Sequence, residues 1–174
     1  MLTITLPALN LALIPDPEAI NSQILKQFWL LYEQGSTRQS HFFHGRFENI
    51  YIDLERIPAL LPIVAQVKST AATILKCEIS DLKYGFWFNL MRPGDQTSLH
   101  NHEEDDELLS AVYYITTPQG SGDLILGKPP LALRLQPYAG LVAYFPPQLP
   151  HAVDTNNSNH DRLAIAFNFG LNTN

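Results

Sequence analysis

The chain reads as one mainly-β domain, an antiparallel sandwich or barrel, with helices confined to its N-terminal half. Three observations predict this. Two stretches with helical periodicity or helix-start signals fall within residues 1–83. From about residue 84 the texture changes to short β-prone runs bounded by Gly and Pro at nearly even spacing. The 174 residues suffice for one core rather than two, and no linker, repeat or low-complexity tract separates the halves. Residues 1–174 are therefore expected to form a single domain, with 1–83 supplying a strand and helices that pack on a β core over 84–170.

In chain order, "MLTITLPALNLALIP" is apolar but lacks a basic leader and a small-residue cleavage site. It is also shorter than the roughly 20 residues of a spanning helix, so it reads as a strand. In "DPEAINSQILKQFWLLYEQG", Asp16 is placed to cap and Pro17 takes the first helical position. Apolar residues recur at Ile20, Ile24, Phe28 and Leu31, and Gly35 supplies the stop. "FENIYIDLE" reads as a short strand, and "IPALLPIVAQVKSTAATILK" as a second helix beginning near Pro58. The runs "YGFWFNLMR", "LLSAVYYITT", "GDLILG", "LALRLQP", "GLVAYFP" and "RLAIAFNFG" then give the strands of the β core. Gln119-Gly120, Ser121-Gly122 and Ala139-Gly140 punctuate the turns.

Composition narrows the function classes. A net charge of −6 without a Lys/Arg cluster argues against nucleic-acid and acidic-membrane partners. The single cysteine, Cys77, excludes an internal disulfide and suits a reducing cytoplasm; with nothing beside it to lower its pKa, it reads as buried filler. No Gly-rich phosphate loop and no G-x-S-x-G elbow is present.

The chemistry centres on "RPGDQTSLHNHEEDDELLSAVYY". On a strand, residues two apart share a face, which sets His100 and His102 side by side. His151 ends "GLVAYFPPQLPH". Two imidazoles from one strand end and one from a distant strand can converge on one face of a divalent ion and leave the other face open, which suits catalysis better than a closed structural site. The plain alternative is a polar loop end followed by a solvated acidic loop.

Arg162 opens "RLAIAFNF", where Ala164, Ala166 and Asn168 share its face and Leu163, Ile165, Phe167 and Phe169 take the other. Alone, an arginine at a strand end reads as a surface charge. Above small residues, its planar fork has room to grip a carboxylate. Either Tyr113 or Tyr114 faces the interior, and Asn89 lies on the face opposite Phe86, Phe88 and Leu90. His41 and His44 in "HFFHGR" read as surface-loop residues, as does His160 in "NNSNHD".

"PGDQTSLHNHEEDDE" with "GLVAYFPPQLPHAVD" resembles the paired histidine motifs of double-stranded β-helix proteins, which comprise the cupins and the iron and 2-oxoglutarate dependent oxygenases. Gly94, His100, His102, Glu107, Gly140, Pro146 and His151 fit the cupin spacing, although Tyr114 and Gln148 stand where cupins have glycines. His100, His151 and Arg162 fit the oxygenase pattern, with His102 in place of its usual acid. "FWFNLMRPGDQTSLHNH", "LLSAVYYI", "GLVAYFPPQLPHAV" and "RLAIAFNF" are further similar to a bacterial and phage group of 2-oxoglutarate oxygenases, over about residues 84–170.

The resemblance implies a cupin-like jelly roll buttressed by about two α-helices. It implies Fe(II) held by His100, His102 and His151, with Glu107 or Glu104 as a further ligand. It also implies 2-oxoglutarate as cosubstrate, its far carboxylate gripped by Arg162, with Tyr114 or Tyr113, Asn89 and Asn168 as hydrogen-bonding candidates. The activity implied is oxidative decarboxylation of 2-oxoglutarate coupled to hydroxylation of a small-molecule or peptide substrate. A metal-binding cupin enzyme (an isomerase or a three-histidine dioxygenase) and a metal-free ligand-binding jelly roll are the alternatives. Exposed β edges or the N-terminal strand offer a means of pairing two chains.

Overall fold

The computed structural model describes residues 9–101 and 106–172. Two antiparallel sheets face each other. The larger has the spatial order β1 (Asn10–Leu13), β9 (Leu141–Phe145), β6 (Leu109–Thr116), β11 (Arg162–Leu171), β4 (Leu82–Met91), β3 (Arg46–Tyr51) and β2 (Arg38–Phe43). The smaller consists of β5 (Thr97–His100), β10 (His151–Val153), β7 (Leu124–Leu126) and β8 (Leu133–Leu135). This is the jelly-roll arrangement, and it differs from the expected division in one respect. The N-terminal half contributes strands to the larger sheet itself: β1 pairs with β9, and β3 meets β4 at Ile50↔Phe88.

Helices α1 (Pro17–Glu33) and α2 (Leu61–Leu75) cover the back of the larger sheet. The periodic residues of α1 behave as their spacing predicts: Ile24, Phe28 and Leu31 are buried, and the Phe28 ring lies 5.0 Å from that of Phe88 on β4. Burying side chains of this size contributes about 2–3 kcal/mol each. The start of α1 departs from expectation. Asp16 is left-handed and its side chain makes no cap. The end is as predicted, with Gly35 at φ +65° and the Ser36 amide donating to Leu31 O at 3.0 Å.

Pro58 starts a short 3-10 turn (Pro58–Leu60) that runs into α2. The stretch Pro58–Leu75 is long and apolar enough to cross a membrane by length and composition alone. Here one side of it, including Leu60, Ile63, Val64, Val67, Ala71 and Ala72, is buried in the core.

A buried polar link fixes α1 to the sheet. Asn21 donates from Nδ2 to Ile115 O at 3.1 Å and accepts from the Tyr113 hydroxyl at 2.5 Å. Buried amides require such partners. The larger sheet's back is therefore a packed core, whereas its front, facing the smaller sheet, borders a cavity.

Candidate active site

Alternation along β11 produces that front face. Leu163, Ile165, Phe167 and Phe169 are fully buried in the helix-side core. Arg162, Ala164, Ala166 and Asn168 line a cavity of about 460 Å³ on the side of the smaller sheet. Their neighbours across the ladder are Asn89 and Trp87 on β4, and Tyr114, Val112 and Ser110 on β6. His100 and His151 line the same cavity from β5 and β10.

The two histidines are cross-strand partners, His151↔His100, with ring centroids 4.2 Å apart. His100 Nδ1 lies 2.8 Å from Ser98 O, and His151 Nδ1 lies 2.9 Å from Leu149 O. A carbonyl can only accept, so each Nδ1 carries a proton, and in the neutral ring each Nε2 then presents a lone pair. This is the tautomer that metal-binding histidines take when their other nitrogen is anchored. The Phe145 ring, 4.9 Å from that of His151, packs against the second imidazole. The strand that was expected to carry His102 ends at His100. His102 and Glu104 lie outside the described residues, so the expected third ligand does too. Among the described residues no group of three His, Cys, Asp or Glu side chains is placed to hold a metal.

Glu107 is not among the residues lining the cavity of His100 and His151. It lines an adjoining pocket, and its Oε1 accepts from Asn168 Nδ2 at 2.5 Å. Asn168 also accepts from Ser110 Oγ at 3.1 Å. Asn89 likewise reaches the cavity but spends its amide on Glu48 O, at 3.1 Å.

At the other side of the cavity Arg162 is a nearly inaccessible cation, 2% exposed. Its NH1 donates to Ser121 O at 3.2 Å and to Gly122 O at 2.8 Å, and its guanidinium carbon lies 5.3 Å from the centroid of the Tyr114 ring. Burial pulls its pKa below the ordinary arginine value, a change that Tyr114 and Asp123 oppose. No carboxylate pairs with it among the described residues. A buried cation whose hydrogen-bond acceptors are neutral carbonyls retains charge that could serve an anion.

Tyr114 belongs to the same constellation. It is fully buried, and burial pushes its pKa up to about 12 against the pull of Arg162. The guanidinium lies alongside, yet the hydroxyl makes no hydrogen bond of sound geometry with any described residue. Tyr113 is the neighbour that faces away. Its hydroxyl is committed to Asn21 under α1, which removes it from the cosubstrate candidates.

Three features escaped the sequence. First, "RQSHFFHGRFENIY" is a hairpin, β2–β3, with His44 and Gly45 as its two-residue loop, both at positive φ. Loops of this length favour such conformations, and the His-Gly pair was the available signal. The hairpin brings His41, Phe43, Glu48 and Asn49 to the cavity. His44 Nε2 lies 2.7 Å from Ser98 Oγ.

Second, Asn156 is 1% exposed and ties the segment before β5 to that before β11. Its backbone exchanges bonds with Gly94 N and Asp95 O, both at 2.8 Å, and its Nδ2 donates to Met91 O and His160 O. Third, Gly122 sits at φ +94°, where a Cβ would lie 2.2 Å from Asp154 O. Only glycine fits there, and its own carbonyl is one of the two that accept from Arg162.

Residues 85–136 match the family described as "Putative 2OG-Fe(II) oxygenase". No curated protein matches the sequence. Among solved structures, the fold is similar to a Pseudomonas putida prolyl-4-hydroxylase, with 18% identity over 96% of this chain and 94% of that one and a TM-score of 0.76. It is also similar to SnoK, a non-heme alpha-ketoglutarate-dependent carbocyclase from nogalamycin biosynthesis, with 12% identity over 94% and 79% and a TM-score of 0.76. EvdO2 from Micromonospora carbonacea var. aurantiaca, complexed with 2-oxoglutarate, is similar at 14% identity over 95% and 87%, with a TM-score of 0.68. The sequence likeness to that family thus spans residues 85–136, and over nearly its whole length the chain shares the double-stranded β-helix fold of these structures.

Proposed function

We propose that the protein is an Fe(II)- and 2-oxoglutarate-dependent dioxygenase that hydroxylates an organic substrate. One observation carries the reading: a single cavity contains two carbonyl-anchored histidines, a buried guanidinium without a carboxylate, and a buried hydroxyl without a described partner. The family match and the shared fold support it. His100 and His151 would hold the metal, with His102 or Glu104 completing the set, and Fe(II) with O₂ would supply the oxidising chemistry.

The remaining work falls to this chain. Arg162 receives the distal carboxylate of 2-oxoglutarate with its charged fork, and Tyr114 donates its orphan hydroxyl to the same carboxylate. Ala164 and Ala166 leave room for the cosubstrate, while Trp87, Val112 and Phe145 keep the cavity walls apolar and limit water. A cupin enzyme working without 2-oxoglutarate has no use for a buried unpaired guanidinium, and a metal-free barrel has none for two anchored imidazoles.

Substrate, partners and location follow by inference. One similar structure is a prolyl-4-hydroxylase and another a carbocyclase, so both peptide and small-molecule substrates suit the fold. The substrate would enter past the β2–β3 hairpin. Leu11 and Leu13, exposed on the edge strand β1, mark where two copies would pair. The acidic charge balance disfavours nucleic acid and membrane surfaces, and a reducing cytoplasm would suit Fe(II) and the free Cys77.

Titrating the anaerobic Fe(II) protein with 2-oxoglutarate should develop a weak visible charge-transfer band. His100→Ala and His151→Ala should abolish metal uptake. Arg162→Ala should keep the metal but bind 2-oxoglutarate about 30-fold weaker or worse, because losing one partner of a buried charge pair costs roughly 2–5 kcal/mol. Absence of the band in the parent protein would refute the proposal.

A further inference from the structure

The strand that carries His100 is a weak element by itself. β5 is four residues long and lies at the edge of the smaller sheet, with β10 on one side only. Its register with β10 is interrupted between His151 and Val153. On its other side lies the β2–β3 hairpin, and one side chain makes most of the connection.

Arg46, at the start of β3, is 11% exposed. Its NH2 donates to Gln96 O at 3.2 Å and to Thr97 Oγ1 at 2.9 Å, at the entrance to β5. Its NH1 donates to Leu90 O at 3.1 Å on β4, Glu48 Oε1 accepts from NH2 at 3.2 Å, and Nε faces Asp95 Oδ2 at 3.8 Å. One planar fork thus fastens three strands, a geometry that an ammonium group cannot reproduce. A second tie, His44 Nε2 to Ser98 Oγ, falls on the residue whose carbonyl anchors His100 Nδ1.

We propose that Arg46 is a positioning residue for the metal centre: through it the β2–β3 hairpin serves as the outer wall of β5, so that His100 keeps its place only while the hairpin is seated. This rests on the metal reading above. Because the hairpin also supplies His41, Phe43, Glu48 and Asn49 to the cavity, a substrate that presses on it also acts on the strand holding a metal ligand. Coupling then runs both ways, since linkage is reciprocal.

The test uses Co²⁺ as probe, followed by its visible d–d absorption, with the full-length parent, Arg46→Gln and Arg38→Gln. Arg38 lies on the same hairpin, over the Tyr51 ring, and among the described residues no hydrogen bond ties it to β5. Arg46→Gln should bind Co²⁺ about tenfold weaker or worse, as loss of a residue supporting a metal ligand commonly does. Arg38→Gln should bind like the parent. In the parent, Co²⁺ should also slow amide exchange in residues 38–51, and Arg46→Gln should lose that slowing.

Equal Co²⁺ affinity in Arg46→Gln and parent, or equal weakening in Arg38→Gln, would overturn the proposal. If Arg46→Gln fails to fold, Thr97→Val deletes only the acceptor at β5; about fivefold weaker binding is expected, and parent-like binding overturns the proposal. A parent that binds no Co²⁺ refutes the metal reading itself, and the role of Arg46 falls with it.

Discussion

Replacing Tyr114 by phenylalanine should make the cosubstrate-free protein more stable and its cosubstrate binding weaker. The ring stays beneath the Arg162 guanidinium, so packing and the cation–π contact are kept. What disappears is a buried hydroxyl with no described hydrogen-bond partner. Leaving such a group unsatisfied costs about 1–3 kcal/mol, so its removal should return about 1 kcal/mol, or roughly 2–4 °C in melting temperature for a chain of this size. In the loaded site the same hydroxyl donates to a carboxylate, and bonds to charged groups are worth about 1.5–3 kcal/mol. Affinity for 2-oxoglutarate should therefore fall about 10- to 150-fold. Thermal melts of the apo protein and anaerobic charge-transfer titrations measure the two effects separately. A lower melting temperature would mean that the hydroxyl is satisfied in the free protein, and unchanged affinity would place the cosubstrate elsewhere; either result refutes the reasoning.

Two further outcomes follow from the same face and core. Ala166→Leu projects extra carbons into the cavity from a half-buried position, so the melt should stay close to the parent's while the charge-transfer titration is blocked; normal titration would show that the cosubstrate avoids this floor. Burial raises Tyr113, Tyr114 and Tyr144 from the ordinary value of 10 to about 12. The folded state thus favours their neutral forms, so their contribution is complete below pH 10 and is lost as pH climbs from 10 through 12. At roughly 2–3 kcal/mol per tyrosine as an upper bound, the urea midpoint should drop steeply across that window. A flat midpoint up to pH 12 would contradict the burial of these phenols, and Tyr144→Phe should soften the slope.

The sequence foretold what depends on periodicity. The two-residue alternation of β11 separated Leu163, Ile165, Phe167 and Phe169 from Arg162, Ala164, Ala166 and Asn168, and the structure divides them the same way. The glycines at 120, 122 and 140 all take the positive φ expected of turn residues. Alternation could not choose between Tyr113 and Tyr114, because the choice depends on which side of the sheet the helices cover and on the bulge opposite Leu163/Ala164. The β2 strand was hidden because "RQSHFF" is solvent-facing along nearly its whole length and so carries no apolar alternation. The carbonyls of Ser121 and Gly122 that hold Arg162 belong to the backbone, which no side-chain pattern reports.

The position of β11 has a consequence for biosynthesis. It is the last described strand along the chain, yet it lies between β4 and β6, registered along its whole length with one and most of it with the other. A nascent polypeptide halted before Arg162 therefore exposes two long unsatisfied strand edges and lacks the anion-gripping guanidinium. Such an intermediate invites intermolecular β-pairing. Loss of this final segment by proteolysis or premature termination would split the larger sheet at its centre, a far graver injury than trimming an outer strand.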